Sequence, residues 1–354
     1  MNRGWHYCKK ILFFAAKLLL AGAIVWYLLL RDPDELLHSL SHLRPLYLIP
    51  ALITYGLHLV VCSWRWRRLA LILKVALGRF ESFSLTMQGI FFSLVIPGGA
   101  IGGDVVKLGV ISRRSPEGSK MEGAFTVVMD RIIGMIALFG LVLVLLPFAL
   151  TQLLQVSIPH LIENDAARIW GIVLLALLCL FGLFASGVIF FHRTLQKLPL
   201  FGWAMTWGDR VTHGLVGRMT SATDIYARSW KELGVLVLAS VFGVHLMTVV
   251  PMFFLLSALG ADYSFFAVIL AISIGNVIGL IPIFPSGVGG RDLTAVTLLV
   301  ASGIAPETAK SAQLIYTAII LLFSLSGGIF FAADPGRSER QLNSEASLCP
   351  NHGN

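Results

Sequence analysis

Long apolar runs separated by short polar segments dominate this chain. Runs of about 18 or more apolar residues are typical of transmembrane helices, and the pattern predicts six full spans, at residues 11–30, 46–63, 123–150, 169–191, 233–258 and 311–332. Two further apolar regions, 82–111 and 265–301, are interrupted by proline and glycine. Neither arm of either region is long enough to cross a hydrocarbon core of about 30 Å. We therefore expect an all-α polytopic membrane protein with two re-entrant helical hairpins.

A glycine-rich motif lies at each interruption. The first, PGGAIGGD, runs from Pro97 to Asp104, and the second, PSGVGGRD, runs from Pro285 to Asp292. Broken helices are tolerated inside a bilayer only where protein or water satisfies the freed backbone groups. Paired breaks in corresponding halves of a membrane protein point to a transport site. The two motifs therefore define the candidate site.

The residue types at the breaks suit a negatively charged headgroup. A helix that restarts after glycines presents unpaired N–H groups and the positive end of its dipole, and glycines let a ligand approach the backbone closely. Lys107 and Arg291 add full positive charges. Asp104 and Asp292 either pair with these bases or bind protons during coupled transport. The alternative, which the sequence leaves open, is that these charges form only local ion pairs that stabilise the hairpins.

Asp130 and Arg131 lie inside the third predicted span, where adjacent opposite charges are costly unless paired and turned toward the protein interior; we expect them to pair with each other. The complete set of predicted substrate-binding residues is Pro97, Gly98, Gly99, Gly102, Gly103, Asp104, Lys107, Asp130, Arg131, Pro285, Ser286, Gly287, Gly289, Gly290, Arg291 and Asp292. No metal-ligand spacing or nucleotide loop accompanies them, so we expect neither a metal nor another cofactor.

The two halves of the chain repeat one order of elements. In both, a full span precedes a broken region and another full span follows it, and Pro97 and Pro285 come 51 and 52 residues after the start of the preceding span. The predicted orientations are opposite, which indicates an inverted repeat with halves at about 46–150 and 233–332. The alternative is that glycine-rich breaks arose twice for packing, since glycine is common in membrane helices. We expect one transmembrane domain over residues 1–332 and a polar cytoplasmic tail over 333–354.

Composition and charge placement agree with this topology. The 354-residue chain is 56% hydrophobic and only 13% charged, with a mean hydropathy of +0.82, whereas soluble domains carry about 25% charge. With both termini in the cytoplasm, 19 of the 27 basic residues face the cytoplasm and four face outward, as the positive-inside rule requires. The net charge of +8 therefore favours a membrane surface over nucleic acid as partner.

The chain resembles the transmembrane flippase-like domain of lysylphosphatidylglycerol synthases and its stand-alone relatives. The residues that carry the resemblance are the two glycine-rich motifs, the Asp130–Arg131 pair and the closing Ser326-Gly-Gly328. It covers nearly the whole chain, and the second motif is its most specific part. The resemblance implies a multi-pass protein of the plasma membrane (the bacterial inner membrane) that binds or translocates lipids.

The chain departs from the family pattern in two places. The family usually has glutamate where Asp292 stands, and it often has an arginine near Tyr316 and Thr317, which is absent here. The synthases also carry a soluble aminoacyl-transferase domain after the membrane part. Because only residues 333–354 follow the last predicted span, we expect a stand-alone member that is not the synthase. The sequence has no HExxH motif and no Ser/His/Asp order, so we do not expect an enzyme.

We therefore expect a lipid flippase-like protein that binds or moves an anionic or glycosylated lipid between leaflets, with anionic membrane lipids as partners. In this hypothesis the two hairpins meet at the membrane midplane and cradle the headgroup. A secondary transporter of a small solute and a membrane-embedded enzyme acting on lipid headgroups are the alternatives. The sequence leaves open whether the protein forms homo-oligomers.

Overall fold

The computed structural model describes residues 41, 43–96, 100–114, 120–154, 164–212, 214–281 and 289–333. The predicted first span, residues 11–30, lies outside these residues, as does the predicted tail apart from its first residue. The regular elements in the described parts are all helical.

Thirteen helices are described, and we number them in chain order. They are α1 Leu48–Ile72, α2 Arg79–Val95, α3 Ala100–Arg114, α4 Lys120–Leu153, α5 Asp165–Phe190, α6 His192–Leu195, α7 Pro199–Val211, α8 Leu215–Arg228, α9 Trp230–Ser240, α10 Met247–Ala258, α11 Phe265–Gly279, α12 Gly290–Ala301 and α13 Pro306–Ala332. A short 3-10 turn, Pro45–Tyr47, precedes α1, and a π-helical segment, Val241–Leu246, joins α9 to α10.

Five helical segments in the described part of the chain are long and apolar enough to cross a membrane: Pro45–Ile72, Met121–Thr151, Asp165–Phe190, Trp230–Ala258 and Pro306–Ala332. They correspond to the five predicted spans that fall within the described residues, and a multi-pass helical membrane protein is confirmed. The largest boundary difference is at the first of them. The predicted span ends at Ser63, whereas α1 continues to Ile72 and includes the buried Arg65, which is 6% exposed.

Two pairs of shorter helices lie between the long ones. Helices α2 and α3 have 17 and 15 residues, and α11 and α12 have 15 and 12, fewer than the roughly 20 that a full span needs. The members of each pair pack against each other. A Cβ at Gly103 would collide with the carbonyl oxygen of Gly89, and one at Gly275 would lie 3.1 Å from the carbonyl oxygen of Arg291. Small residues thus permit close backbone approach in both pairs.

Short helices of both halves pack on the last long helix of the other half. Helix α2 packs on α13, and both α11 and α12 contact α4, while α1 lies against α10. The contact of α2 with α13 is close enough that a Cβ at Gly327 would collide with the carbonyl oxygen of Met87. The closing Ser326-Gly-Gly328 therefore serves helix packing. The larger of two hydrophobic clusters in the described residues contains side chains from both halves.

The fourth described span makes polar contacts at and next to its π-helical segment. π-Bulges add one residue to a turn and change the direction of the side chains beyond it. Ser240 receives a hydrogen bond from Arg65 Nη1 at 3.0 Å, and His245 Nε2 lies 3.0 Å from the carbonyl oxygen of Gly134. This span is therefore attached to α1 and α4 through polar contacts as well as apolar ones.

The segment between the third and fourth described spans contains α7 and α8. Helix α8 buries Tyr226 completely, and its hydroxyl donates to the carbonyl oxygen of Leu69 at 2.9 Å. Burial raises the pKa of Tyr226. Helix α7 leaves Trp203 and Trp207 exposed with their rings stacked, as aromatic residues at a membrane interface commonly are.

Candidate functional site

A cluster of five charged side chains surrounds the start of α3. Arg131 on α4 donates from Nε and Nη2 to the two carboxylate oxygens of Asp104 on α3, at 2.6 and 2.8 Å. This two-point geometry is the strong form of an arginine–carboxylate contact. It fixes the first turns of α3 against α4 immediately after the first glycine-rich motif.

Asp130 pairs with Arg65 on α1. Arg65 Nε donates to Asp130 Oδ1 at 2.8 Å, and the two side chains are only 7% and 12% exposed. The predicted pairing of Asp130 with Arg131 is wrong. Consecutive residues on an α-helix point about 100° apart and do not face each other, so each finds its partner on a different neighbouring helix.

Lys107 is the cation of this cluster without a carboxylate partner. It is 8% exposed, and its Nζ lies 4.8 Å from the centre of the Trp66 ring. Within the described parts of the chain, no acidic side chain lies at ion-pair distance from it. Asp104, its predicted local partner, pairs with Arg131 instead. A buried ammonium held only by a ring is costly to desolvate, so this position favours an incoming anion.

The surroundings of Lys107 are shaped to hold its side chain. Trp66 Nε1 donates to Thr126 Oγ1 at 3.1 Å, which fixes the ring below the ammonium. A Cβ at Gly89 would lie 2.7 Å from Lys107 Cε, so the glycine leaves the space that the lysine side chain uses. The cluster of Arg65, Lys107, Arg131, Asp104 and Asp130 carries three positive and two negative groups, which leaves one positive charge uncompensated.

The second motif leads into α12, and Asp292 caps the start of that helix. Gly289 has φ +93°, a conformation that residues with a Cβ rarely adopt. Its N–H donates to Asp292 Oδ2 at 3.1 Å, while Gln313 Nε2 donates to Oδ1 at 2.8 Å. Arg291 donates to the same Oδ1 from Nε and Nη2, at 2.9 and 2.7 Å. The Asp292 carboxylate is therefore fully engaged.

The positive charge of Arg291 is compensated by the Asp292 carboxylate, whereas Lys107 has no carboxylate partner among the described residues. Besides its bonds to Asp292, its Nη2 lies 3.3 Å from Thr317 Oγ1, and its guanidinium lies 5.7 Å from the centre of the Tyr316 ring. The Tyr316 hydroxyl donates to the carbonyl oxygen of Thr248 at 2.8 Å, which orients the ring. The helix that lacks the family's arginine thus still contributes polar groups to this site.

Lys107 and Arg291 lie near different positions along the axis of α1. Lys107 contacts Trp66, whereas Arg291 reaches α1 through Tyr316, whose ring meets that of Tyr55 edge-on with centroids 6.2 Å apart. Tyr55 and Trp66 are eleven residues apart on α1, which is about 16 Å along the helix. Because of this separation, the contacts of Lys107 and Arg291 define two sites along α1.

The remaining predicted site residues fall into two groups. Gly102 and Gly103 pack at the α2–α3 contact and Gly290 begins α12, where all three are buried. The loop residues lie outside the described part of the chain, and they are Pro97, Gly98, Gly99, Pro285, Ser286 and Gly287.

Several partners of the predicted residues were missed by the sequence analysis. Gln313, Tyr316 and Thr317 occupy one face of α13 at spacings of three and four residues, and this polar face in an apolar span was the available signal. Arg65 carried no comparable signal, because it lies in a basic and aromatic segment typical of a membrane surface. No group of three or more histidine, cysteine, aspartate or glutamate side chains among the described residues is placed to hold a metal ion.

The described residues form a helical bundle with five candidate spans, and buried charged side chains lie where the short helices pack against the long ones. These features define a polytopic membrane protein with polar sites inside the bundle. The sequence profile described as "Lysylphosphatidylglycerol synthase TM region" matches residues 14–328. The chain belongs to this family.

Archaeal membrane proteins are among its relatives. A UPF0104 membrane protein of Pyrococcus horikoshii is 22% identical over 328 residues, which cover 91% of this chain and 96% of the relative. A UPF0104 membrane protein of Methanothermobacter thermautotrophicus is 22% identical over 322 residues, covering 83% and 86% of the two chains. The similarity therefore extends over nearly the full length of both relatives.

Proposed function

We propose that this protein binds the headgroup of an anionic lipid inside the bundle and moves it between the leaflets of the bacterial inner membrane. The observation that carries the proposal is Lys107, a buried cation on α3 that lacks a carboxylate partner among the described residues and follows the last residue of the first glycine-rich motif by three positions. A lipid phosphate would supply the missing negative charge. Membership of a family named for a lipid-modifying synthase supports a lipid as the ligand.

The two cations have different roles in this proposal. Lys107 makes the first contact with the anion because one positive charge of its cluster is uncompensated. Arg291 already holds Asp292 as a counter-ion, so an arriving phosphate has to share or displace that carboxylate. The headgroup passes between the two levels along α1, and the acyl chains stay in the bilayer against the exposed apolar face that includes Ile49, Ile53 and Leu57.

The proposal includes the predicted topology. We place both termini in the cytoplasm and treat α2–α3 and α11–α12 as re-entrant hairpins of an inverted repeat. The reciprocal packing, in which α2 contacts α13 and α11 contacts α4, supports two equivalent halves. In this account the protein transports its lipid without chemical change and is not an enzyme.

The test is translocation of phosphatidylglycerol in reconstituted vesicles. The vesicles contain a fluorescent analogue of phosphatidylglycerol. The fraction of this analogue that is protected from a membrane-impermeant quencher reports its transfer between leaflets. We expect Lys107→Gln to reduce the initial rate at least tenfold, because one charged hydrogen bond contributes about 1.5–3 kcal/mol, and Lys107→Arg to retain more transfer than Lys107→Gln.

The matched control is Lys231→Gln. Lys231 also lies over a tryptophan ring, at 5.7 Å from the centre of Trp230, but it is exposed. This variant removes the same charge and should transfer lipid at the wild-type rate. Transfer by Lys107→Gln at the wild-type rate, in protein that elutes as a folded species, would contradict the assignment.

A further inference from the structure

A basic cavity whose lining includes no residue of the glycine-rich motifs lies between the C-terminal part of α1 and the start of α2. Its volume is about 720 Å³, within the range of sites that take a small ligand or a headgroup. Two buried serines on its lining, Ser63 and Ser82, hydrogen-bond to each other at 3.0 Å. Their hydroxyls join α1 to α2 and give the cavity a polar lining on its buried side.

Three arginines line the same cavity. Arg67 Nε donates to the carbonyl oxygen of Leu77 at 2.9 Å, which holds its guanidinium beside the cavity. Arg68 lies 3.6 Å from Glu232, but both side chains are about half exposed, and such a pair contributes little. Arg79, at the first turn of α2, is exposed. The cavity therefore carries a surplus of positive charge, from the residue type that best matches phosphate geometry.

Apolar aromatic side chains lie beside these arginines. Trp64 and Phe80 also line the cavity and are 40% and 73% exposed. A soluble anion has no apolar part that could pack against exposed aromatic side chains. A phospholipid carries a phosphate and acyl chains next to each other and can contact both the arginines and the aromatic rings. Arginines next to an aromatic surface at the end of a membrane-spanning helix match that combination.

We propose that this cavity, whose lining includes Ser63, Ser82, Arg67, Arg68, Arg79, Trp64 and Phe80, binds the headgroup of an anionic phospholipid of the cytoplasmic leaflet. The arginines contact the phosphate, and the acyl chains pass over Phe80 and Trp64 into the bilayer. The site is separate from Lys107 and does not rest on the proposed transport. It holds a lipid at the α1–α2 junction whether or not the protein moves lipids.

The test measures lipid retention by the full-length protein. Protein purified in detergent is titrated with phosphatidylglycerol or phosphatidylcholine, and bound lipids are counted by native mass spectrometry. We expect at least one phosphatidylglycerol to bind more tightly than phosphatidylcholine, and Arg67→Gln with Arg79→Gln to weaken that binding at least tenfold.

The control is Arg218→Gln with Arg228→Gln, two exposed arginines of α8, which removes the same charge and should leave the binding unchanged. If the double variant at the cavity does not fold, Arg79→Gln alone serves, because its exposed side chain makes no hydrogen bond within the described residues. We expect this single variant to show a smaller loss in the same direction.

Three results would overturn the proposal. The first is wild-type phosphatidylglycerol binding by the folded cavity variants. The second is equal competition by glycerol 3-phosphate, which would make the cavity a site for a soluble anion. The third is crosslinking of a photoreactive residue at position 80 to residues 1–40 instead of to added phosphatidylglycerol, which would show that the chain itself covers the cavity.

Discussion

Separating Arg65 from Asp130 should destabilise the protein more than loss of any exposed ion pair. The two side chains are 7% and 12% exposed and 2.8 Å apart, so Asp130→Asn leaves a guanidinium buried without a counter-ion. Breaking a buried pair in this way costs about 3–5 kcal/mol. That is a large share of the roughly 5–15 kcal/mol by which folded proteins are usually stable. Much of the variant should therefore fail to fold or melt at low temperature.

The assay is the fraction of monodisperse protein that survives heating, measured by fluorescence-detected size-exclusion chromatography in detergent. Asp165→Asn is the matched control, because it removes a carboxylate from a 2.7 Å pair with Arg168 in which the Asp165 side chain is 85% exposed. We expect this control to lose about 1 kcal/mol or less. The two variants make the same chemical change and differ mainly in burial.

A charge reversal identifies the partner. Arg65→Asp combined with Asp130→Arg should recover part of the stability that either single change removes, since the pair can re-form with opposite polarity. Reversal of Asp130 with Arg131 should recover none. Asp130→Asn as stable as the wild type, or rescue through Arg131 in place of Arg65, would refute the pairing.

Three further predictions concern packing, backbone conformation and orientation. Gly103→Ala should lower the melting temperature, by a loss of about 1–3 kcal/mol from overpacking against α2, whereas Gly109→Ala, which has open space around it, should not; equal stability of the two would contradict the close α2–α3 contact. Gly289→Ala should cost about 1–2 kcal/mol, because φ +93° is strained for alanine, and an unchanged melting temperature would argue against that conformation at the start of α12. Cysteine introduced at Glu307 should react with an impermeant reagent from outside and cysteine at Ser221 only from the cytoplasm; labelling of both from one side would exclude the proposed topology.

The sequence alone was sufficient for the spans within the described residues and for part of the contacts around Asp292. Asp292 bonds to Gly289 and Arg291, which lie within three residues of it, and such contacts follow from the order of residue types in the motif. Apolar runs of sufficient length made the five described spans predictable for the same reason. In each case the physical cause lies within one continuous stretch of chain.

Contacts between distant parts of the chain were not predictable in the same way. Arg65 bonds to Asp130, 65 residues away, and to Ser240, 175 residues away. In sequence it stands in a tryptophan- and arginine-rich segment that has the composition of a membrane surface. The three basic and two acidic side chains of this cluster could be paired in several ways. Only the packing of α1 between α4 and α9 selects one pairing. The unpartnered state of Lys107 follows from that selection, since Asp104 and Asp130 are both taken by arginines.

The central claim is that a lipid phosphate binds to Lys107, and solid-state NMR distance measurement between ¹⁵N-labelled lysine and lipid ³¹P tests it most directly. In phosphatidylglycerol bilayers, the account predicts a lysine Nζ signal that is dephased by phosphorus at about 4 Å, the separation expected for a direct ammonium–phosphate contact. This signal should disappear in Lys107→Arg and persist in Lys231→Gln. A phosphorus contact that survives Lys107→Arg unchanged, or a wild-type spectrum without any such contact, would contradict the account.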